Sequence, residues 1–279
     1  MTDSGFDPAP DLWPPPAAVL EAFGAPRPAY RLAGGRGGTW RAGSIVLKRA
    51  ESDAESRWRA DVLAGLPPSP LFRIAGPIRA AGGDWLAFGW EAVEAVSGHA
   101  DPRRVDDVVR AGEAFHTAIA ALPRPSFLDR RRDPWSYADR LAWAEPVPPE
   151  STAPSVLLKP LLDGRRPVSL GSQVVHGDLI GNVLFADGRP PAIIDWPAYW
   201  RPPAWACAVA VIDALCWHDV APAVIERWAH LPYWDQMLIR ALIYRIATWP
   251  AARRTAPPDD AYRPVVELVM EYAGARRWQ

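Results

Sequence analysis

Apolar positions along the chain fall into two regimes. Up to about residue 98 they come in short runs cut by glycine and proline. Residues 29–33, 39–41, 44–48, 71–78 and 85–93 read as strands, with turns at Gly43 and at 81–84. Two helices are interleaved. Residues 17–23 suit a short one, and 51–66 a longer one that stops before Pro67-Pro68. Beyond residue 98 the spacing becomes helical. Over 101–122, Val105, Val108, Val109, Phe115 and Ile119 share one face, and Asp101-Pro102 offers an N-cap with proline at the first helical position. Gly112 lies on the same face and leaves room for a neighbour to pack close. Further helices are predicted at 134–144, 154–162, 204–217, 221–231, 233–248 and 260–276, with the chain helical throughout after Trp196. The pattern implies an α+β protein: a small β-rich part, then a larger helical part.

Residues 172–196 interrupt the helical regime. Val174 and Val175 lead into His176-Gly177-Asp178. Asn182 then opens Val183-Leu184-Phe185, and Asp187-Gly188 with Pro190-Pro191 makes strong turn chemistry before Ala192-Ile193-Ile194-Asp195. With Phe185 opposite Ala192, such a hairpin sets Asn182 facing Asp195, about 5 Å apart at Cα. An amide oxygen and a carboxylate are hard ligands suited to Mg²⁺. Asp178 arrives from the preceding strand end. A carboxylate beside two metal ligands is what phosphoryl transfer to a hydroxyl requires.

A second feature lies near the start. Gly34-Gly35-Arg36-Gly37-Gly38 sits between two strands, and Lys48 ends the third. Glycines let backbone N–H groups approach phosphate. The chain has 29 arginines and only two lysines, Lys48 and Lys159, so an ammonium at this strand end stands out. A compact point charge suits the α- and β-phosphates of a nucleotide.

Composition narrows the field. The formal net charge of −1 gives no electrostatic case for a nucleic-acid partner. No apolar run approaches the ~20 residues of a membrane span, and no signal-peptide core is visible, so a cytoplasmic protein without a membrane partner is expected. Cys207 and Cys216 fall in one predicted helix, ~13 Å apart along its axis, too far for a disulfide. No Cys/His group has zinc spacing, and His99, His116, His218 and His230 read as ordinary histidines.

His-Gly-Asp, then Asn182, then Ile193-Ile194-Asp195-Trp196 resemble the catalytic and metal loops of the aminoglycoside phosphotransferase and choline kinase-like family. The resemblance runs from Gly34 to about Ala214 and implies a protein-kinase-like fold of two lobes. Residues 1–28 would be a Pro-rich lead-in with a short helix, 29–98 a nucleotide-binding lobe and 99–279 a catalytic and acceptor-binding helical lobe. It implies ATP and Mg²⁺, with Asp178 as catalytic aspartate, His176 bracing its loop, and Asn182 and Asp195 as metal ligands. Only three residues separate Asp178 from Asn182, one fewer than is usual in kinase-like loops. Gly34, Gly35, Gly37, Gly38 and Lys48 would hold phosphates. The glutamate paired with Lys48 would be Glu55, with Glu51 as alternative. Backbone groups of about Glu94 and Val96 would meet adenine.

No DFG or APE segment is present, which argues against a protein kinase. The expected activity is transfer of the γ-phosphate to a small-molecule hydroxyl, on a sugar, amino-alcohol, nucleoside-like or aminoglycoside-like acceptor. The alternative is a catalytically silent nucleotide-binding or scaffold protein. From Trp200 to the end there are nine Arg against eight Asp and Glu, which is no trap for a polycation. Trp196, Tyr199 and Trp200 follow directly on Asp195 and are the expected acceptor-binding aromatics.

Overall fold

The computed structural model describes residues 13–33, 38–147, 155–251 and 259–276. In chain order the elements begin α1 (Ala17–Ala22), β1 (Tyr30–Arg31), β2 (Thr39–Ala42), β3 (Ile45–Arg49), α2 (Asp53–Gly65), β4 (Arg73–Ile74), β5 (Leu86–Ala87) and β6 (Trp90–Glu94). They continue with β7 (His99–Ala100), α3 (Val105–Ala118), α4 (Pro134–Ala142), α5 (Leu158–Gly164), β8 (Gln173–His176), β9 (Val183–Ala186), β10 (Arg189–Ile193) and β11 (Ala198–Arg201). The last four are α6 (Pro203–Trp217), α7 (Val224–Arg227), α8 (Trp234–Ala251) and α9 (Asp259–Ala275).

Two compact units result. The first takes the chain up to Gly98 together with Ala186–Ile194; the second takes His99–Phe185 and the chain from Asp195 onward. In the first, β1, β2, β3, β6 and β5 lie side by side in that order, antiparallel throughout. Trp40 and Ala42 of β2 are buried while Arg41 between them is exposed, the alternation of a half-buried strand. Val19, Leu20 and Phe23 close over this face against Trp40, Leu47 and Trp90. The segment around α1 therefore belongs to the core of this unit rather than to a separate lead-in. Each large side chain so buried contributes roughly 1.5–3 kcal/mol.

The expected strand 85–93 is a tight hairpin. Leu86 pairs with Glu91 and Ala87 with Trp90, leaving Phe88 and Gly89 as a two-residue turn. Both have positive φ, 53° and 74°, as such a turn demands, and it is unusual to find Phe at the first position. The expected strand 71–78 shortens to β4, which runs parallel to β10.

The second unit is helical around α6, which is buried on every side from Ala204 to Ala214 and packs against α3, α8 and α9. Here too the structure differs from expectation. Residues 198–201 are not part of a helical run: β11 pairs antiparallel with β8, Ala198 opposite His176 and Arg201 opposite Gln173. Asp101 does not cap α3. Its carboxylate and carbonyl accept from the Arg103 and Arg104 backbone N–H groups in a turn just before the helix, and Arg104 holds the cap position without a side-chain capping bond. Among the described residues no helix is long and apolar enough to cross a membrane. Cys207 and Cys216, both on α6, are free thiols.

Candidate active site

β8 delivers the site. Val174, Val175 and His176 are all buried. The backbone N–H of His176 donates to His116 Nε2 at 2.9 Å, and Gln173 donates to the His116 carbonyl at 2.7 Å. His116 comes from the inner face of α3. Burial, with His176 nearby, pushes its pKa down to about 3, so the ring stays neutral and Nε2 stays an acceptor. Its buried Nδ1 has no partner among the described residues. Nothing in its type had set His116 apart from the other histidines, although its spacing from Val109 and Gly112 puts it on the apolar stripe of α3.

The loop that follows is held by its own bonds. The Asp178 N–H donates to His176 Nδ1 at 3.1 Å, so His176 braces the loop from inside. The Asn182 N–H donates to the Leu179 carbonyl at 3.0 Å, and Gly181, at φ +83°, makes the turn possible. The Asn182 amide nitrogen then lies 2.7 Å from the Asp178 carbonyl and 3.4 Å from its Oδ2. Three intervening residues therefore suffice to bring Asn182 back to Asp178. Among the described residues, no hydrogen bond uses the Asn182 amide oxygen. Leu179 is fully buried against α3, where a Cβ on Gly112 would stand 2.5 Å from its Cδ1. The close packing expected at Gly112 is thus what seats the loop.

Asp178 is also tied to the helices. Arg245 of α8 donates from Nη2 to Asp178 Oδ1 at 2.6 Å, and from Nε to Asp213 Oδ1 of α6 at 2.7 Å. Nη2 also reaches Asp213 Oδ2. Burial works against the Arg245 charge, but Asp213 and Asp178 outweigh it and hold its pKa well above the ordinary arginine value. The side chains of Arg245 and Asp213 are 14% and 9% exposed, that of Asp178 44%, so the carboxylate remains reachable from solvent. Both partners were legible in principle. Asp213 is the lone charge of apolar α6, Arg245 stands in an apolar stretch of α8, and a buried charge needs a partner. Asp195, beyond β10, has φ +46°, a left-handed conformation uncommon outside glycine.

The description "phosphotransferase enzyme family" belongs to the family model that matches residues 28–240. The chain belongs to this phosphotransferase family. No curated protein matches it. Among solved structures, a thermostable mutant of aminoglycoside phosphotransferase APH(4)-Ia in complex with AMP-PNP and hygromycin B is 15% identical, with a TM-score of 0.56 over 92% of this chain and 97% of that one. The GDP and kanamycin complex of APH(2")-IIIa is 14% identical, with a TM-score of 0.55 over 93% and 97%. Choline kinase LicA from Streptococcus pneumoniae is 11% identical, with a TM-score of 0.50 over 88% and 95%. These likenesses show the fold, which is protein-kinase-like.

Within this phosphotransferase fold the remaining expected residues fall as follows. Lys48 is on β3, opposite Thr39 on one side and Glu91 on the other. Glu91 accepts from Arg59 of α2 at 2.6 Å, and Glu55 lies 3.9 Å from the same guanidinium. Gly34, Gly35 and Gly37 lie outside the described residues; Gly38 precedes β2. The Glu94 N–H is used within the first unit, on the Gly76 carbonyl at 2.8 Å.

The acceptor assignment fails for two of three aromatics. Trp196 is 3% exposed, donates to the Val175 carbonyl and meets Phe115 edge-on at 5.0 Å. Tyr199 is 5% exposed and shares a 2.8 Å hydrogen bond with Tyr244. Strand pairing between β11 and β8 sets Tyr199 opposite Val175, and Trp196, just before β11, is held by its bond to the Val175 carbonyl; both rings lie in the core of the unit. Trp200 is half-buried opposite Val174.

Proposed function

We propose that the protein transfers the γ-phosphate of ATP to a hydroxyl of a small molecule. Membership of the phosphotransferase family supports the reaction class. The observation that carries the reading is Asp178, solvent-reachable, with Oδ1 engaged by Arg245 and its loop closed by Asn182.

Asp178 Oδ2 is the oxygen turned to the acceptor. It accepts the hydroxyl proton as the acceptor oxygen forms its bond to the γ-phosphorus, and the bond from that phosphorus to the bridging oxygen breaks to release ADP. Lys48 places its ammonium against the α- and β-phosphates, with Glu55 or Glu51 orienting it, and Gly34, Gly35, Gly37 and Gly38 donate backbone N–H groups. Glu94 and Val96 bond adenine through the backbone.

The chain's donor set fits Mg²⁺ carried by the nucleotide. Asn182 turns its nitrogen into the loop and so frees its amide oxygen, and Asp195 adds a carboxylate; Mg²⁺ in such sites uses one or two carboxylates beside phosphates and water. Its chemistry when bound is to neutralise charge on the β- and γ-oxygens.

The test is ADP release by the purified protein with ATP and Mg²⁺ against a panel of hydroxyl compounds, with Asp178→Asn as control. Acceptor-dependent turnover that falls at least about a hundredfold in Asp178→Asn, with ATP affinity kept, is expected. ATP binding without turnover on any acceptor would favour the silent nucleotide-binding alternative.

A further inference from the structure

Beside the Arg245–Asp213 pair, the helical unit holds a cavity of about 290 Å³. Its wall carries Trp135, Trp217, Trp249 and Tyr262 together with Asp213 and Arg245. Asp178 is not part of that wall. It connects to it through Arg245, which bonds Asp178 directly, and through Ile180, two residues along the loop.

Three observations define what the cavity can take. Its size lies at the lower end of the ~300–1,000 Å³ typical of small-molecule sites, which suits one ring rather than several. Its aromatic wall is prearranged: Trp217 meets Tyr262 edge-on at 5.3 Å, and Trp249 donates to the Tyr262 hydroxyl at 3.1 Å. Trp217 is 41% exposed, so part of its ring is open to a ligand. In the wall the one carboxylate is engaged, and the open polar group is an N–H donor. Asp213 is bound to Arg245 through both oxygens, whereas Nη1 of Arg245 has no partner among the described residues.

An aromatic wall alone would also suit an organic cation. That ligand needs a carboxylate to meet its charge, and the one carboxylate in this wall already faces a permanently charged guanidinium. A neutral polyol has no such difficulty. The C–H face of a sugar ring packs on indole, and its hydroxyls can accept from Arg245 Nη1.

We propose that this cavity is the acceptor pocket and that it selects a neutral, monosaccharide-sized polyol over choline-like or aminoglycoside-like cations. The role of acceptor rests on the phosphotransferase reading; the binding preference does not.

Binding should therefore be measured on the full chain without nucleotide, by saturation-transfer NMR and calorimetry. Suitable probes are glucose, ribose and myo-inositol against choline and kanamycin. Trp217→Ala is the variant of choice because its ring is partly exposed, with Trp249→Phe as a milder second. We expect at least one neutral polyol to bind at least about tenfold tighter than either cation, and Trp217→Ala to weaken it about tenfold, the order of one aromatic contact. Trp249→Phe should weaken it less. Preference for choline or kanamycin overturns the proposal. So does the lack of saturable polyol binding at millimolar concentration, or polyol binding indifferent to both variants. A protein that binds polyols through Trp217 yet phosphorylates none keeps the pocket and loses the phosphotransferase reading. One that phosphorylates a polyol with an unchanged KM in both variants loses the pocket alone.

Discussion

Arg245 and Asp178, 67 residues apart in sequence, meet at 2.6 Å, and the same guanidinium holds Asp213. The arrangement fixes Oδ1 of Asp178 and leaves Oδ2 outside the Arg245 clasp, 3.4 Å from the Asn182 amide nitrogen. It also makes Asp213 dependent on Arg245, which among the described residues supplies all of its side-chain hydrogen bonds. Structural and positioning roles can then be separated. Arg245→Met should destabilise the protein by about 3–5 kcal/mol, because it leaves a buried carboxylate unpaired. Adding Asp213→Leu removes that charge and should restore most of the loss. Thermal unfolding gives the stabilities, and steady-state kinetics on the restabilised double variant gives the rest. If Arg245 positions Asp178, kcat stays low in the double variant while KM for ATP is kept. Normal kcat there would reduce the clasp to a structural one.

Asp195 and Asn182 should differ in their effect on Mg²⁺-dependent nucleotide binding. Asp195→Ala removes the proposed charged ligand and should abolish the dependence. Asn182→Ala removes the proposed neutral ligand together with the amide that closes the loop onto the Asp178 carbonyl. Nucleotide titrations with and without Mg²⁺ should show a partial loss at Asn182 and a larger fall in kcat, as Asp178 loosens. A greater loss of Mg²⁺ dependence at Asn182 than at Asp195 would reverse the ranking.

Much of the fold was legible because local signals carried it. The glycine and proline breaks set off the strands before residue 98, and α6, α8 and α9 follow their apolar spacing closely. What was missed depended on partners distant in sequence. Residues 198–201 form a strand only because β8 lies beside them; the tetrapeptide between Pro197 and Pro202 has no period of its own. The same pairing buries Tyr199, and a bond to the Val175 carbonyl holds Trp196 in the core; proximity to Asp195 in sequence had suggested both for the acceptor. Phe88-Gly89 lacks the Asn-Gly or Asp-Gly pattern that usually announces a two-residue turn, so β5 and β6 read as one strand. Asp178, Asn182 and Asp195 were singled out by residue type and spacing, and the structure brings Asn182 back to Asp178. Arg245 and Asp213 were not, since which lone charges pair across packed helices is a tertiary property.

Gly112 gives a test of how the loop is seated. A methyl group there would stand 2.5 Å from Leu179 Cδ1, far inside normal contact, and Leu179 immediately follows Asp178. Gly112→Ala gains helix propensity worth up to about 1 kcal/mol. Overpacking should exceed that gain, for a net cost of about 1–2 kcal/mol. Leu179→Ala on the Gly112→Ala background relieves the clash. We expect the single Gly112→Ala to lower kcat more than its stability loss explains, because the shift acts on Asp178. A Gly112→Ala protein more stable than wild type, with unchanged kcat, would show that the loop does not depend on this contact.

His116 gives the chain a predictable acid response. Its folded pKa is about 3 against an ordinary value near 6.5, because the neutral ring is buried and must accept from the His176 N–H. Between those values the unfolded chain binds a proton that the folded one does not. Stability from this group is therefore fully present above pH ~6.5 and lost as pH falls, by roughly 1.4 kcal/mol per unit until pH approaches the folded value. Other groups titrate in the same range, so wild type must be compared with a variant that keeps the acceptor and does not ionise. His116→Gln offers an amide oxygen to the His176 N–H. Urea unfolding at pH ~7.5 and ~5 should show wild type losing about 2 kcal/mol more than His116→Gln on acidification. Equal losses in the two proteins would mean that His116 takes its proton in the folded state as readily as in the unfolded one, and that it does not pin β8 as described.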